Sequence, residues 1–386
     1  MSENIKPVVL AIDDTPENLD IVKAILTPEY KVKVATNGAL ALKIVNSQPP
    51  DIILLDVMMP EMDGYEVCRR LKSDPSTAEI PIIFLTTQDQ TADEAEGFSL
   101  GAADYIHKPV NPQILKARVA THVALKQSID DLHELSEALA QAKERMEKEL
   151  KVGHDLQKSM LPDVVPDSKH FELCASMDAA REVGGDFYDY FMLNDRELWF
   201  CVADVSGKGV PSALFMAMTK ILLKSHSRED RTSSKVMTRV NSILAEDNPE
   251  CMFVTVFLGI MEVSTGTITY TNAGHNLPLI KRTDGTVHKV PDSHGPILGV
   301  REGEYGESVI ELGPGDTLLV YTDGVTEAMD IEERLYSDQR LVNVLQTTEL
   351  PTAESMLKTV RASVDDFSRG AEQADDITMI ALRYLG

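Results

Sequence analysis

The first third of the chain places acidic, hydroxyl and lysine side chains at the ends of successive strand-like segments. The apolar run VVLAIDD (8–14) ends in two carboxylates, and similar runs follow at DIILLDV (51–57), PIIFLTT (81–87) and DYIHKP (104–109). Helical periodicity separates these runs, which predicts a doubly wound α/β fold with a five-stranded parallel sheet. The carboxyl ends of parallel strands share one edge, where ligands bind. The residues expected to converge there are Asp13, Asp14, Asp56, Thr86 and Lys108.

Charge predicts the chemistry of this cluster. Three carboxylates in one crevice repel one another unless a cation joins them, and oxygen ligands favour Mg²⁺. Asp56 is the predicted nucleophile toward a phosphoryl donor, since a carboxylate can carry an acyl phosphate, and Lys108 would neutralise the transferred oxygens. The predicted metal ligands are Asp14, Asp56 and the Met58 carbonyl, with Asp13 acting through a water. The alternative is that these are unrelated loop residues, which requires five residues of the right types to fall by chance on four strands.

Residues 5–122 resemble a bacterial response-regulator receiver domain. The resemblance rests on the five residues that are expected to converge, which match the family's acidic pair, phosphoacceptor, threonine and lysine. It implies a cis peptide between Lys108 and Pro109. It also implies that Tyr105 is a switch aromatic, which rotates when the Thr86 hydroxyl engages the phosphoryl group. A sensor histidine kinase would be the phosphodonor.

The length and the net charge of the chain limit the number of its domains and the class of its partners. A chain of 386 residues exceeds one receiver-sized core, so two or three domains are expected. The net charge of −25 argues against a nucleic-acid partner, whose phosphates would repel the protein. The N-terminus MSENIKPVV has no hydrophobic leader, and the longest apolar run, 251–263, is too short to span a bilayer. We therefore expect a cytoplasmic protein with no membrane partner, whose four cysteines are buried free thiols.

A heptad repeat marks the segment 123–160, which we predict to be a coiled-coil linker. The apolar residues of the predicted seam are Leu125, Ile129, Leu132, Leu139, Met146 and Leu150. This spacing favours a parallel two-stranded coiled coil and hence a homodimer, weakened where Ser136 and Lys143 interrupt the seam. The alternative is a single amphipathic helix packed on its own domain. Gly153 interrupts the repeat and predicts a hinge.

After Pro162 the pattern changes to short strands with turn signals, which predicts packed antiparallel sheets. A helix is predicted at 211–225, with an apolar stripe at Leu214, Met218, Ile221 and Leu222. Both kinds of element fit an α+β domain.

Carboxylates recur at the strand ends of this region, in GGDFYD (184–189), ADVSGKG (203–209), YTDG (321–324) and ADDIT (374–378). An aspartate beside small residues lets a metal approach backbone and side chain together. Oxygen ligands without His or Cys suit two Mg²⁺ or Mn²⁺ ions, which can activate a water for in-line attack on phosphorus. The alternative for any single aspartate is a turn or cap, which we favour for Asp189 and Asp195.

Residues 154–386 resemble the PPM (type 2C) family of metal-dependent Ser/Thr protein phosphatases, in its bacterial branch with SpoIIE and RsbU. The resemblance rests on those four motifs together with LQKSMLP (156–162) and TNAGH (271–275). It implies a β-sandwich flanked by helices, with a regulatory helix at about 211–224.

The resemblance also implies roles for individual residues. Asp204 would bridge the two metals, with the Val205 carbonyl beside it, and Asp323 would bind the second metal. Asp375 would be a further ligand of that metal, with Asp376 as the competing candidate. The implied role of Asp186 is to hold a water. Outside this set, Arg181 is either a substrate-phosphate ligand or a solvated charge, and His275 is predicted to be structural.

The predicted organisation is a receiver at 1–122, the linker at 123–160 and a PPM-type phosphatase at 161–386. The predicted function is a phosphatase controlled by phosphorylation of Asp56. By resemblance, its substrate is a phosphorylated STAS-type anti-sigma factor antagonist in a partner-switching pathway. The alternative is a catalytically silent phosphatase-like adaptor that binds a sigma factor or anti-sigma partner. An adaptor should lack some of the metal carboxylates, whereas all are present here.

Overall fold

The computed structural model describes residues 6–87, 97–246, 248–291 and 293–386. The first five residues of the N-terminal segment considered above therefore lie outside the described part. The chain divides into two compact units, residues 1–143 and 144–386. No helix within the described residues combines the length and apolarity needed to cross a bilayer.

The N-terminal unit contains a five-stranded parallel sheet with the order β2-β1-β3-β4-β5. Its strands are β1 Val8–Ile12, β2 Lys31–Ala35, β3 Ile52–Asp56, β4 Ile82–Thr86 and β5 Asp104–His107. Its first three helices are α1 Pro16–Leu26, α2 Gly38–Ser47 and α3 Gly64–Ser73. Every residue of β3 and β4 is buried, because apolar clusters cover both faces of the sheet. The predicted doubly wound receiver fold is confirmed.

A single helix of 49 residues, α4 (Pro112–Met160), follows the sheet. It runs through Gly153 without a break, so the predicted hinge is wrong; a lone glycine lowers helix stability without ending a helix. Four residues of the predicted seam are 55–68% exposed: Leu125, Leu132, Leu139 and Met146. They form an apolar face that the described chain does not cover, and pairing through this face stays a prediction.

The C-terminal unit is a sandwich of two five-stranded antiparallel sheets, with the orders β13-β10-β9-β8-β7 and β12-β11-β14-β15-β6. The first sheet comprises β7 Phe187–Asn194, β8 Glu197–Val205, β9 Val254–Glu262, β10 Thr267–Ala273 and β13 Ser308–Glu311. The second comprises β6 Phe171–Asp178, β11 Leu279–Lys281, β12 Val287–Lys289, β14 Thr317–Tyr321 and β15 Ile377–Tyr384. The inner faces share one apolar cluster, which includes Phe200, Phe257 and Leu318.

Helices flank this sandwich: α5 Val210–Glu229, α6 Ser233–Glu246, α7 Asp323–Thr326, α8 Asp338–Thr347 and α9 Ala353–Phe367. Residues of α5 and α6 share an apolar cluster with the first sheet, and residues of α8 and α9 share another with the second. The predicted β-sandwich flanked by helices is therefore confirmed.

Two local predictions are wrong. The apolar stripe predicted for α5 faces solvent at Leu214, Met218 and Ile221, which are 67%, 43% and 60% exposed. The buried face of α5 instead carries Phe215, Met216, Thr219, Lys220 and Leu223. The predicted burial of all four cysteines is also wrong: Cys68 and Cys201 are buried, whereas Cys174 is half-buried and Cys251 is exposed.

The burial of Lys220 depends on Asp189 in the neighbouring strand. Asp189 is fully buried and forms ion pairs with Lys220 and, at 3.1 Å, with Lys224. Because the negative charge of Asp189 neutralises the buried ammonium of Lys220, Lys220 can lie on the face of α5 that packs against the sheet. The structural role favoured for Asp189 from the sequence agrees with these contacts.

Replacing Asp189 should therefore destabilise the C-terminal unit. We expect Asp189→Asn to lower the free energy of unfolding by about 3–5 kcal/mol, because Lys220 would be left buried without its counter-charge. Urea denaturation measures this difference. Asp195→Asn, at an exposed position in the β7–β8 hairpin, is the matched control and should change stability by less than about 0.5 kcal/mol. Equal stabilities of the two variants would contradict the ion-pair account.

Candidate functional sites

The carboxylates of Asp13, Asp14 and Asp56 meet at the carboxyl edge of the parallel sheet. Their ligand oxygens lie within 4.8 Å of one another. Asp56 is the last residue of β3, and the acidic pair directly follows β1. The Lys108 ammonium lies 2.7 Å from Asp13 Oδ2 and 2.9 Å from Asp56 Oδ1. The four residues predicted from different strands thus occupy one crevice.

Hydrogen bonds fix the Asp13 carboxylate in this crevice, and the pKa values of Asp56 and Lys108 are both shifted. Asp13 accepts hydrogen bonds from the Thr15 backbone N–H at 2.9 Å and from Asn18 Nδ2 at 3.1 Å. Burial raises the pKa of Asp56, although the Lys108 ammonium opposes that shift. Burial would lower the pKa of Lys108, but its hydrogen bonds to the two carboxylates raise it. Three clustered carboxylates beside the Lys108 ammonium retain a net negative charge, which fits a divalent metal with oxygen ligands.

The two predicted switch residues lie on the neighbouring strands. Thr86 ends β4 and is 5% exposed. Tyr105, on β5, is also buried, and its ring stacks on Phe84 with ring centroids 5.3 Å apart. A Cβ atom at Gly97 would clash with the Tyr105 hydroxyl, so the ring is directed inward. The Lys108–Pro109 peptide is cis, as the receiver resemblance implies. The switching role of the two residues stays a prediction.

The second set of carboxylates gathers at one end of the sandwich. Asp186 directly precedes β7, and Asp204 is the penultimate residue of β8. Since Phe187 pairs with Ala203 in the β7–β8 ladder, these two aspartates are neighbours across the sheet. Asp323 begins α7 and is separated from β14 by one residue, and Asp375 and Asp376 precede β15. The predicted metal-site aspartates therefore come from both sheets.

Asp186 lies in a part of the sandwich end where acidic groups predominate. Its side chain is buried, and the carboxylate oxygen Oδ2 has no hydrogen-bond partner among the described residues. Burial raises the pKa of Asp186 well above its usual range, and the charges of Asp204 and Asp376 raise it further. Burial, with Asp323 and Asp375 nearby, raises the pKa of Asp204 to about 7. Burial and Asp375 raise that of Asp323 to about 6.

The residue types present suit divalent metal ions, because clustered oxygen donors with a net negative charge favour Mg²⁺ or Mn²⁺. Among the described residues, however, only the receiver carboxylates bring three ligand oxygens within 4.8 Å of one another. Glycines keep the backbone of the output domain close to its carboxylates: a Cβ atom at Gly185 would lie 2.8 Å from the Val205 carbonyl oxygen, and one at Gly324 would clash with the Asp376 carbonyl. A cavity of about 240 Å³ borders Gly324 and Asp375.

Asp375 and Asp376 differ in what their carboxylates contact. Asp376 is buried and accepts hydrogen bonds from the backbone N–H groups of Ala180 at 2.8 Å and Gly185 at 2.7 Å. Asp375 is partly exposed, and its charge raises the pKa of both Asp204 and Asp323. Asp376 thus holds the loop in place, and Asp375 is the better candidate for a metal ligand.

Other residues near this centre refine the sequence-based hypotheses. Lys208 lies 3.1 Å from the Asp375 carboxylate and donates a hydrogen bond to the Ala374 carbonyl, a contact that sequence reasoning missed. Arg181 is exposed, and its proposed role stays a prediction. His275 is buried and lies 2.8 Å from the Thr255 hydroxyl; burial lowers its pKa to about 3, which fits a neutral structural histidine.

Two protein families match these two regions. The response regulator receiver domain matches residues 9–120, and the stage II sporulation protein E (SpoIIE) family matches residues 194–385. The chain is 31% identical to protein IcfG of Synechocystis over 262 residues, which cover 61% of this chain and 41% of IcfG. It is 26% identical to the phosphoserine phosphatase RsbU of Bacillus subtilis over 245 residues, which cover 62% of this chain and 71% of RsbU.

Among solved structures, the PP2C domain of SiaA from Pseudomonas aeruginosa superimposes with a TM-score of 0.55 at 20% identity, covering 63% of this chain and 98% of that domain. This likeness supports the fold of the C-terminal unit. Together, the parallel sheet, the acidic crevice and the receiver match define a response regulator. In this response regulator the receiver domain precedes a region that matches the SpoIIE family. It spans less than half the length of IcfG.

Proposed function

We propose that this protein is a metal-dependent phosphoserine/phosphothreonine protein phosphatase whose activity is controlled by phosphorylation of Asp56. The observation that carries the proposal is the clustering of Asp186, Asp204, Asp323 and Asp375 at one end of the sandwich, where burial and repulsion by neighbouring aspartates raise the pKa of the first three. The completeness of this set favours an enzyme over a silent adaptor, which has no need of four converging carboxylates. The relative named as a phosphoserine phosphatase, RsbU, supports the same substrate class.

In the receiver, Asp56 attacks the phosphoryl donor. An Asp56 carboxylate oxygen forms the bond to phosphorus while the bond from phosphorus to the nitrogen of a histidine kinase's phosphohistidine breaks. Lys108, already within 2.9 Å of Asp56, is placed to neutralise the phosphoryl oxygens. Asp13 and Asp14, with Asp56 and the Met58 carbonyl, would hold the Mg²⁺.

In the output domain, a water oxygen attacks phosphorus while the bond to the serine or threonine oxygen breaks, and a proton passes to that oxygen. Two bound Mg²⁺ or Mn²⁺ ions would supply an acidified water and positive charge for the phosphoryl oxygens. Asp204, the Val205 carbonyl, Asp323 and Asp375 would hold the metals. The unpartnered Oδ2 of Asp186 is placed to accept a hydrogen bond from the attacking water.

Metal-dependent hydrolysis by the full chain tests the proposal. With Mn²⁺ present, we expect turnover of p-nitrophenyl phosphate and of a phosphoserine peptide, and we expect EDTA to abolish both. Absence of Mn²⁺-dependent hydrolysis with either compound would favour the adaptor function. For the physiological substrate we propose a STAS-type anti-sigma factor antagonist in a cytoplasmic partner-switching pathway.

We further propose a homodimer that pairs through α4, and a division into receiver 1–122, coiled-coil linker 123–160 and phosphatase 161–386. The exposed apolar face of α4 supports the pairing, since a seven-residue apolar repeat on a long helix is typical of a coiled coil. In this scheme phosphorylation changes how two receivers pair and so alters the coil. We expect this change to raise phosphatase activity.

Deletions in α4 test the coupling through the coil. Removing residues 133–139 takes out one heptad and keeps the seam in phase. Removing residues 136–139 turns the remaining seam by about 50°, given 3.5 residues per turn. We expect the first deletion to preserve the response of hydrolysis to phosphorylation better than the second. Equal responses of the two deletion variants, or a monomer in sedimentation with and without phosphorylation, would contradict the scheme.

A further inference from the structure

Gln157, three residues before the end of α4, pairs with both main-chain polar groups of a single residue. Its side chain is 7% exposed. Its Nε2 donates to the Gly184 carbonyl at 2.6 Å, and its Oε1 accepts from the Gly184 N–H at 3.1 Å. Only a side-chain amide offers a donor and an acceptor in this arrangement. Gln157 thus gives Gly184 the two hydrogen bonds that a neighbouring strand would supply, just before β7.

The opposite side of the same segment packs against the candidate metal centre. The Gly185 N–H donates to Asp376 Oδ2 at 2.7 Å. A Cβ atom at Gly184 would clash with the Asp376 carboxylate, and one at Gly185 would lie 2.8 Å from the Val205 carbonyl oxygen. The Gly184–Gly185 dipeptide is therefore held tightly between Gln157 on one side and residues of the metal centre on the other. The next residue is Asp186.

Two more contacts place the end of α4 along this segment. His154 Nδ1 lies 2.7 Å from the Glu182 carbonyl oxygen. A Cβ atom at Gly153 would be 3.5 Å from Val183 Cγ1, which leaves ordinary van der Waals spacing. Gly153, His154 and Gln157 lie on one face of the helix, because residues three and four apart are neighbours. A displacement of this face would have to move residues 182–184.

We propose that Gln157 is a positioning residue, which sets the placement of Asp186 and of the Val205 carbonyl through Gly184 and Gly185. This inference rests on the proposed phosphatase function and identifies the point at which α4 acts on the metal centre. The phosphatase resemblance implies a regulatory helix at about 211–224, whereas the hydrogen bonds of Gln157 and His154 go to residues 182–184. Loss of the amide would leave a buried N–H and C=O of Gly184 without partners.

The test is Gln157→Met in the full chain, with Gln141→Met as the matched control on an exposed part of the same helix. We expect Gln157→Met to raise the Mn²⁺ concentration for half-maximal p-nitrophenyl phosphate hydrolysis by about 10–100-fold, the usual effect of removing groups that orient metal ligands. Amide hydrogen exchange should become faster at residues 184–186. Gln157→Glu, which keeps the acceptor for the Gly184 N–H, should have an intermediate effect. Gln141→Met should match the wild type in all of these measurements.

Two outcomes separate this inference from the proposed function. If the wild type hydrolyses p-nitrophenyl phosphate and Gln157→Met shows the same Mn²⁺ dependence and the same amide exchange, the inference is overturned while the phosphatase stands. If the wild type hydrolyses nothing, the proposed function fails. In that case two measurements still decide the role of Gln157. One is amide exchange, and the other is calorimetry of Mn²⁺ binding to the site that Asp204→Ala abolishes. Unchanged affinity and exchange in Gln157→Met would then overturn it.

Discussion

Asp204→Ala is expected to lower Mn²⁺-dependent turnover of p-nitrophenyl phosphate by at least about a hundredfold. Even residues that only orient metal ligands alter affinity or activity by 10–100-fold, and Asp204 is the proposed bridge between two metals. Asp323→Ala should show a similar loss. Asp195→Ala, an exposed aspartate of the same domain, is the control and should retain wild-type turnover. Steady-state kinetics across a range of Mn²⁺ concentrations would measure these differences.

The same substitution should not unfold the protein. Without metal, Asp204 lies among the like charges of Asp323, Asp375 and Asp376, so its removal relieves repulsion. We expect the metal-free melting temperature of Asp204→Ala to equal or exceed that of the wild type. Mn²⁺ should raise the melting temperature of the wild-type output domain, because a ligand of the native state stabilises it, and should raise it far less in the variant. Wild-type turnover in Asp204→Ala would refute the proposed metal centre.

Asp56→Asn should abolish phosphorylation of the receiver. The amide is close in shape to the carboxylate but is not a nucleophile toward phosphorus, whereas Asp13 and Lys108 remain in place beside it. Acetyl phosphate with Mg²⁺ is the phosphodonor in this test, and mass spectrometry of peptides locates the adduct. Asp20→Asn, at an exposed position on α1, is the control and should be labelled like the wild type. Labelling of Asp56→Asn at the wild-type level would place the phosphoacceptor elsewhere.

The receiver could be predicted from the sequence because its functional residues are encoded locally. Asp14, Asp56 and Lys108 each follow or end an apolar run, and parallel strands bring such ends together. The same logic predicted the aspartates of the output domain, since each stands beside a strand in a short glycine- or acid-rich motif. Both sites could therefore be predicted from local sequence patterns.

Contacts between distant residues could not be predicted in this way. Lys220 is buried only because Asp189, 31 residues earlier, compensates its charge, so the apolar stripe of α5 did not predict its buried face. The amide of Gln157 and the ammonium of Lys208 likewise find partners 27 and 166 residues away. The hinge predicted at Gly153 is absent, because a lone glycine lowers the stability of a helix without ending it.

In the proposed function, phosphorylation of Asp56 controls hydrolysis in the output domain. The most direct measurement is the Mn²⁺-dependent turnover of a phosphoserine peptide by the full chain before and after acetyl phosphate treatment, in the wild type and in Asp56→Asn. We predict that treatment raises wild-type turnover by about 5–150-fold, the usual range of allosteric coupling, and leaves Asp56→Asn unchanged. Equal turnover of the treated and untreated wild type, with phosphorylation verified by mass, would contradict the account.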